Sequence, residues 1–221
     1  MHKGFTLIEF VVIISIFAIM AAVALFNFQG FNSNIALSNV SHDIALTLRQ
    51  AQVFGWSAQT DTNATTLIPV LDANGNPEQY ADGVYFPYDT STNSFEQKFL
   101  LYTKTDPVAQ NAMYTSADVV NDTIKIQGNV RIVAIQAGIS ESSLAINAQH
   151  EVPSGATAIT QSVSLAFSRP RPDAIFFIGN ALDQNMSDKY MAIYIASTTN
   201  TDPLYADHVI LVSRFGEIEV Q

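Results

Sequence analysis

Glu9 stands out chemically because it is an acidic side chain at the start of an apolar run. From Phe10 to Phe26 the chain carries no charged residue, and Ser15 is the only polar residue in that interval. A carboxylate in hydrocarbon costs roughly 2.5–3.5 kcal/mol on insertion scales unless a cation or the polar headgroups satisfy it. Glu9 therefore either reaches the headgroups, since it lies near the end of the run, or meets a cation supplied by another group.

The remaining candidates for chemistry lack the spacing of a catalytic or metal-binding site. In the pairs His42–Asp43 and Asp207–His208 the side chains are adjacent, so they point to different faces of a helix or strand. We interpret the four histidines as surface residues rather than metal ligands or catalytic groups: His2, His42, His150 and His208. The sequence predicts no enzymatic activity, no metal site and no cofactor.

The segment "DANGNPE" resembles a calcium-binding loop. Pro77 stands where an EF-hand loop has its glycine, and no glutamate closes a loop of the required length. A polar turn is the favoured interpretation. A weakly held calcium ion is the alternative, and its ligands would be Asp72, Asn74, Asn76 and Glu78.

Composition limits the classes of function. The chain has 221 residues, of which 48% are hydrophobic, so it can bury the core of an ordinary domain. The formal net charge is −10 and no basic patch is evident, which argues against a nucleic-acid partner. There is no cysteine, so disulfide bonds and thiolate metal sites are excluded.

The elements that position Glu9 begin with the apolar run itself. With Phe5, Leu7 and Ile8, the run reaches the ~20 residues that a membrane-spanning helix needs. There are two alternatives: a buried core helix in a soluble protein, and a signal peptide cleaved around Ala22 to Ala24. Lys3 precedes the run and no Lys or Arg follows before Arg49, which predicts a cytoplasmic N-terminus and an extracytoplasmic remainder.

The run continues into an amphipathic segment. Apolar residues recur there at spacings of three and four, which predicts one buried helix face: Leu37, Val40, Ile44, Leu48, Ala51 and Phe54. The two segments together predict one helix of about 50 residues, roughly 75–80 Å long. Weak helix formers between Asn27 and Asn34 allow a bend between its halves.

After Trp56 the pattern becomes that of strands. Short β-branched and aromatic runs such as "TTLIPVL", "GVYFPY", "FLLYTK", "TIKIQ", "SLAFS", "MAIYIAS" and "HVILVS" are separated by turn signals. One of these turn signals is "RPRPD", whose Arg169–Pro172 we interpret as a rigid loop at the end of a hairpin. We predict an α+β fold in which the long N-terminal helix packs on a mainly antiparallel β-sheet head. Asp106–Asp122 and Gly138–Thr160 are predicted to be surface loops. The predicted organisation is a basic leader (1–4), an apolar helix (5–28), an amphipathic helix (29–58) and a β-rich head (59–221).

The N-terminal sequence "KGFTLIE", followed by the apolar run, resembles that of type IV pilins and pseudopilins. The resemblance implies that a prepilin peptidase cleaves after Gly4 and that Phe5 becomes N-methylated. The new α-ammonium group of Phe5 would be the cation for Glu9, either within one helix or on an adjacent subunit. A buried ion pair of this kind fixes register more than it stabilises. Many type IV pilins have a proline in the apolar segment, whereas the first proline of this chain is Pro69.

The C-terminal sequence "HVILVSRFGEIEVQ" resembles the last hairpin of H-type minor pseudopilins and of FimT-like minor pilins. The latter are associated with DNA uptake through basic residues. In this chain Arg214 is followed by Glu217 and Glu219, so the tail is acidic and nucleic-acid binding is not supported.

These observations predict a structural subunit of a type IV pilus-like filament, or fimbrium. Its implied partners are other pilin subunits, the prepilin peptidase, the inner-membrane assembly platform and membrane lipid. It would be a single-pass membrane protein before assembly and part of an extracellular or periplasmic filament afterwards. A minor pseudopilin of a type II secretion system is one alternative. A signal-anchored extracytoplasmic binding domain that never polymerises is another.

Overall fold

The computed structural model describes residues 6–57, 81–104, 113–154, 157–168, 173–179, 181–182, 189–200, 202 and 204–221. Gly4, Phe5, the segment "DANGNPE" and the predicted strand "TTLIPVL" lie outside the described residues. So does the sequence Arg169–Pro172. The predictions made for these positions stay predictions.

A single α-helix, α1 (Leu7–Ser57), runs from the N-terminal region into the head. Its 51 residues correspond to about 77 Å, and it continues through the cluster of weak helix formers without a break. The predicted long helix is therefore confirmed. Among the described residues, no helix combines the length and the apolarity that crossing a membrane requires. The membrane span predicted for residues 5–28 stays a prediction.

The described part of the head contains thirteen strands and one short 3-10 helix. The helix is η1 (Glu141–Ser143). The strands are β1 (Ala81–Phe86), β2 (Tyr88–Asp89), β3 (Ser94–Phe95), β4 (Lys98–Thr103), β5 (Val119–Lys125), β6 (Val130–Gly138), β7 (Thr157–Ala158), β8 (Val163–Ser168), β9 (Ala174–Ile178), β10 (Ala181–Leu182), β11 (Tyr190–Ser197), β12 (His208–Ser213) and β13 (Ile218–Val220).

The strands form two larger sheets and one ribbon, and every described strand pair is antiparallel. The first sheet has the order β10-β9-β8-β1-β4-β5, and the second has the order β13-β12-β11-β6-β7. Strands β2 and β3 form the ribbon. The predicted α+β architecture with a mainly antiparallel head is confirmed. The division of that head into two sheets was not predicted, because strand periodicity does not state which strands pair.

The buried stripe of α1 packs against both sheets and joins them into one core. Ile44 and Leu48 are fully buried, in one cluster with Leu165 of the first sheet and Ile193 and Ile210 of the second. The predicted helix face is confirmed: Leu37, Val40, Ile44, Leu48 and Ala51 are buried and Phe54 packs against the cluster.

Gly55 sets how closely α1 approaches the first sheet. A Cβ atom at this position would lie 2.5 Å from the carbonyl oxygen of Phe167 in β8. Only glycine lets the two backbones come this close, so the end of the helix is seated directly on the strand.

The segment 138–160 is more than the surface loop that was predicted. It contains η1 and β7, and its side chains Leu144 and Val152 are buried against the second sheet together with Tyr194 and Leu211. The hydroxyl of Tyr194 donates a hydrogen bond of 2.6 Å to the carbonyl oxygen of Leu144. The segment thus covers the face of the second sheet that points away from the main core.

The predicted loop Asp106–Asp122 is also wrong in part. Its last residues belong to β5, which pairs with β4 at the edge of the first sheet. Most residues of β5 are exposed, so its sequence "VVNDTIK" lacks the alternation that identifies a half-buried strand.

The C-terminal hairpin, β12 and β13, is attached to the helix through polar side chains. Gly216 turns the hairpin at a φ of +86°, a conformation that favours glycine. Gln52 donates a hydrogen bond of 3.0 Å to its carbonyl oxygen, and Arg49 donates one of 3.4 Å to the carbonyl oxygen of Ile218. The end of the chain therefore belongs to the same packed unit as the second half of α1.

Candidate functional site

Thr6 and Glu9 close the N-terminus of α1 by bonding to each other. The backbone N–H and the hydroxyl of Thr6 donate hydrogen bonds of 2.9 and 2.8 Å to the same oxygen of Glu9, Oε2. In return, the backbone N–H of Glu9 donates to Oγ1 of Thr6 at 3.4 Å. This reciprocal arrangement is a capping box, which satisfies N–H groups that the first helical turn leaves without partners. It also places a negative charge at the positive end of the helix dipole.

The capping box gives Glu9 a role that the sequence analysis did not predict. Glu9 was assigned as the partner of the Phe5 ammonium group, which lies outside the described residues, so that pairing stays a prediction. Thr6 was not singled out. The spacing Thr-x-x-Glu directly before an apolar run was the signal that would have identified it.

An exposed apolar surface, which we call the helix-1 surface, follows the capping box. Every described side chain from Leu7 to Val23 is exposed except that of Ala21, which is half-buried; Leu7 is 83% exposed and Phe17 72%. An unpartnered apolar surface of this extent is rare on a monomeric protein and marks an interface with protein or lipid. Ile8, Val12 and Ile13 line a shallow depression beside Glu9.

Ser15 does not disturb the apolar character of the helix-1 surface. Its hydroxyl donates a hydrogen bond of 2.8 Å to the carbonyl oxygen of Val12, one turn earlier. The polar group is satisfied within its own helix, so it tolerates surroundings without water. Glu9 is therefore the one ionisable side chain of the described residues 6–23.

The three histidines of the described ranges belong to different parts of the fold: His42 to α1, His150 to the segment between η1 and β7, and His208 to β12. His42 and His150 are exposed, and the ring of His150 stacks on that of Tyr205 with 5.6 Å between centroids. In the described ranges, no three acidic or histidine side chains come together in a way that would hold a metal ion.

A buried ion pair in the head has a structural role. Nζ of Lys104 lies 3.1 Å from Oδ2 of Asp118 and donates a hydrogen bond of 2.9 Å to the carbonyl oxygen of Met113. The same carboxylate oxygen accepts hydrogen bonds from the backbone N–H of Thr115 at 2.6 Å and from its hydroxyl at 3.0 Å. These bonds hold residues 113–118 against the end of β4.

Residues 1–25 match the family model described as the prokaryotic N-terminal methylation motif. The matched range contains Gly4, Phe5, Thr6 and Glu9, and it ends near the last described side chain of the helix-1 surface. Comparison with curated proteins and with solved structures finds no match to the chain. The resemblance seen at the N-terminus is thus confirmed, whereas that of the C-terminal hairpin stays a prediction.

Proposed function

We propose that this chain is a structural subunit of a type IV pilus-like filament. Its N-terminal region, residues 1–25, matches the methylation motif and supports membership of the type IV pilin and pseudopilin family. The observation that carries the proposal is the helix-1 surface: a continuous apolar surface from Leu7 to Val23 that the head leaves uncovered, with Glu9 near its start. In such a filament the helix-1 surfaces of neighbouring subunits pack together and the acidic heads face outwards. Once the subunits have left the membrane, this packing keeps the apolar helices out of water, which is worth about 25 cal/mol per Å² of apolar area.

In the proposed pathway the subunit is first a single-pass membrane protein with a cytoplasmic N-terminus and an extracytoplasmic head. Prepilin peptidase cleaves after Gly4, and the new N-terminal residue, Phe5, is N-methylated. The inner-membrane platform then moves the subunit from lipid into the filament. The chain itself supplies packing surface and register, and no catalysis.

Glu9 has two duties in this proposal. In one subunit it caps its own helix through Thr6. During assembly it receives the ammonium group of Phe5 from a neighbouring subunit, because an uncompensated carboxylate among packed apolar helices is costly. The capping box supports this pairing, since it holds the carboxylate at the helix end.

Two substitutions at Glu9 and two at Thr6 separate these duties. Glu9→Gln keeps an oxygen acceptor for the cap but removes the charge, whereas Glu9→Ala removes both. Thr6→Ser keeps the capping hydroxyl, and Thr6→Val removes it at a cost of about 1 kcal/mol in helix stability. We expect both Glu9 variants to abolish filaments in sheared-surface preparations, Thr6→Ser to assemble normally and Thr6→Val to assemble at a reduced yield.

The result for Glu9→Gln decides the proposal. Normal filaments from this variant would show that Glu9 only caps the helix, and the ion-pair mechanism would be wrong. Normal filaments from Glu9→Ala, or no filaments from the unmodified chain, would favour a signal-anchored binding domain that does not polymerise. Membrane fractionation of each variant controls for loss of the protein before assembly.

Intact-mass measurement of the protein isolated from cells tests processing. We expect a species that begins at Phe5 and carries one additional methyl group. A species beginning at Met1, or one cut near Ala24, would contradict cleavage by the prepilin peptidase.

A minor pseudopilin of a type II secretion system is the second candidate. It is favoured by the two-stranded C-terminal hairpin seated on α1, at the position where the sequence resembles H-type minor pseudopilins. Deletion of the gene separates the two roles. Loss of long surface fibres supports the pilus role, and loss of secreted enzymes with fibres intact supports the secretion role.

A further inference from the structure

A groove on the head is lined by tyrosines and small polar residues. It has a volume of about 210 Å³, and we call it the tyrosine groove. Its lining comes from β1, from β2 and the residue after it, from the loop before β5, from the residues just before β8 and from the residue after β9: Tyr85, Tyr88, Thr90, Tyr114, Gln161, Ser162 and Gly179. None of these described side chains carries a formal charge at neutral pH.

The aromatic part of the groove is a platform. The rings of Tyr85 and Tyr114 lie 4.5 Å apart between centroids at an interplanar angle of 32°. The buried ring of Tyr102 meets Tyr114 edge to face at 5.2 Å, so the platform rests on the core. Two rings in contact cannot enclose a cation between them, as the walls of an aromatic cage do. They present a broad apolar surface instead.

The polar part of the groove is held in place by the backbone. Oγ of Ser162 accepts a hydrogen bond of 2.9 Å from the backbone N–H of Tyr88, and the carbonyl oxygen of Ser162 accepts one of 2.8 Å from Gly179. Gly179 has a φ of +61°, and a Cβ atom there would lie 1.9 Å from Oε1 of Gln161. The amide of Gln161 therefore lies across a position that only glycine leaves open.

The polar groups of the groove retain hydrogen-bonding capacity. Within the described part of the chain, the hydroxyls of Tyr85, Tyr88 and Tyr114 and the amide of Gln161 form no side-chain hydrogen bond. Uncommitted phenol and amide groups around an aromatic platform are complementary to a ligand with one apolar face and several hydroxyl groups. An uncharged pyranose ring has this chemistry, since its C–H face packs on the electron-rich ring face and its hydroxyls bond at the rim.

We propose that the tyrosine groove binds one residue of a neutral saccharide. The lining itself is uncharged, and the ammonium group of Lys98, close to Tyr85 and Tyr114, is paired with Glu96 at 2.8 Å, so no free charge of the described lining favours an anionic glycan or a nucleic acid. The volume is below the ~300–1,000 Å³ of pockets that enclose drug-sized ligands, which suits a single sugar ring. The proposal does not depend on filament assembly, because every residue it uses belongs to the head.

Saturation-transfer-difference NMR on the full chain in detergent micelles tests the proposal. The probes are the methyl glycosides of glucose, galactose, mannose and N-acetylglucosamine, with choline chloride as the cationic comparison. We expect saturable binding of at least one glycoside with a dissociation constant of about 0.1–10 mM, as a single shallow subsite provides. Saturation is expected on its ring C–H protons, and none on choline.

Three variants test whether the glycoside binds in the tyrosine groove. Tyr114→Ala removes half of the platform and should weaken binding roughly tenfold or more. Gln161→Ala changes an exposed side chain outside the core and should weaken binding roughly threefold to tenfold, the value of one hydrogen bond. Tyr205→Ala, at a partly exposed tyrosine outside the groove, is the matched control and should bind as the unmodified chain does. Thermal unfolding shows whether each variant is folded.

The proposal is overturned if no glycoside binds the unmodified chain, or if binding survives both Tyr114→Ala and Gln161→Ala. Should Tyr114→Ala fail to fold, Gln161→Ala is measured together with Tyr85→Phe, which removes one hydroxyl from the groove. Unchanged glycoside binding in both variants then overturns the proposal. Binding of choline without any glycoside would assign the groove to a cation and would also overturn the proposal.

Discussion

At the scale of single residues, the described part of the head contains two ion pairs whose environments differ. The side chains of Lys104 and Asp118 are 4% and 0% exposed, whereas those of Lys98 and Glu96 are 43% and 39% exposed with 2.8 Å between their charged atoms. Removing one partner of a buried pair leaves an uncompensated charge in a low dielectric, whereas water screens the partner of an exposed pair. The two pairs therefore provide a matched comparison.

We expect Lys104→Met to lower the free energy of unfolding by about 3–5 kcal/mol. The control Lys98→Met should change it by less than about 1 kcal/mol. Urea denaturation of the full chain in detergent, followed by tryptophan fluorescence, measures both. In a double-mutant cycle, Lys104→Met combined with Asp118→Leu should cost less than the sum of the single changes. Strict additivity would contradict the coupling inferred from the 3.1 Å contact.

Tyr194 makes the free energy of unfolding depend on pH in the alkaline range. The residue is fully buried, and burial raises the pKa of its phenol. Below about pH 10 the phenol is neutral in both the folded and the unfolded chain, so it has no effect on the pH dependence. Above that value the unfolded chain loses the proton and the folded chain keeps it, so stability falls as pH rises, by roughly 1.4 kcal/mol per pH unit.

The change Tyr194→Phe removes this group. At neutral pH we expect a loss of about 1 kcal/mol, because the carbonyl oxygen of Leu144 loses its donor. Between about pH 10 and 12 the variant should lose stability less steeply than the unmodified chain. Unfolding at a series of pH values, with absorbance of tyrosinate as a second readout, measures the slope. Parallel curves for the two proteins would show that Tyr194 ionises in the folded state.

At the scale of elements, the second half of α1 has one buried face and an opposite face that is exposed. Ile44 is fully buried in the main core, and Leu46, two residues later, is 61% exposed. We expect Ile44→Ala to cost about 2–5 kcal/mol and Leu46→Ala to cost almost nothing in the stability of the single subunit. Thermal unfolding in detergent tests this. Similar losses for both variants would mean that the helix is not seated on the sheets as described.

The elements also show what the sequence could and could not predict. The helix face followed from spacing alone, since Ile44 and Leu48 repeat at the helical period and nothing else explains them. Only the first part of β5, residues 119–122, was assigned to a loop, because these exposed residues show no alternation; its last residues lie in the predicted strand "TIKIQ". The burial of Leu144 and Val152 was missed because two apolar residues in a polar segment have no periodicity. The continuous apolar run in β11 was the available signal, because a strand without alternation has both faces covered.

Of the candidate sites, the N-terminal one was predicted in part from the sequence, and the tyrosine groove was not predicted. The position of Glu9 in an apolar run identified the N-terminal region, because a charge among apolar residues is costly in any fold. The bonds to Thr6 required knowledge of where the helix begins. The tyrosine groove brings together residues 85, 114, 161 and 179, which are distant in the sequence and meet only after the first sheet has formed.

At the scale of the whole molecule, the described chain contains a packed unit and the uncovered helix-1 surface from Leu7 to Val23. The described buried residues of α1 begin at Leu37. We therefore expect a chain that starts at Asn32 to fold cooperatively and to stay monomeric in water without detergent, whereas the full chain should require detergent. Analytical ultracentrifugation and thermal unfolding measure this. Aggregation of the shortened chain would show that the head needs the first half of α1.

The continuity of α1 has a mechanical consequence. Tension applied through the first half of an unbroken helix reaches the head through the stripe from Leu37 to Ala51, which is packed against both sheets. A rigid helix cannot release this stripe one residue at a time, because pulling along its axis displaces all the buried side chains together. The head should therefore behave as a stiff anchor that yields abruptly at a threshold force, rather than as a spring that lengthens gradually.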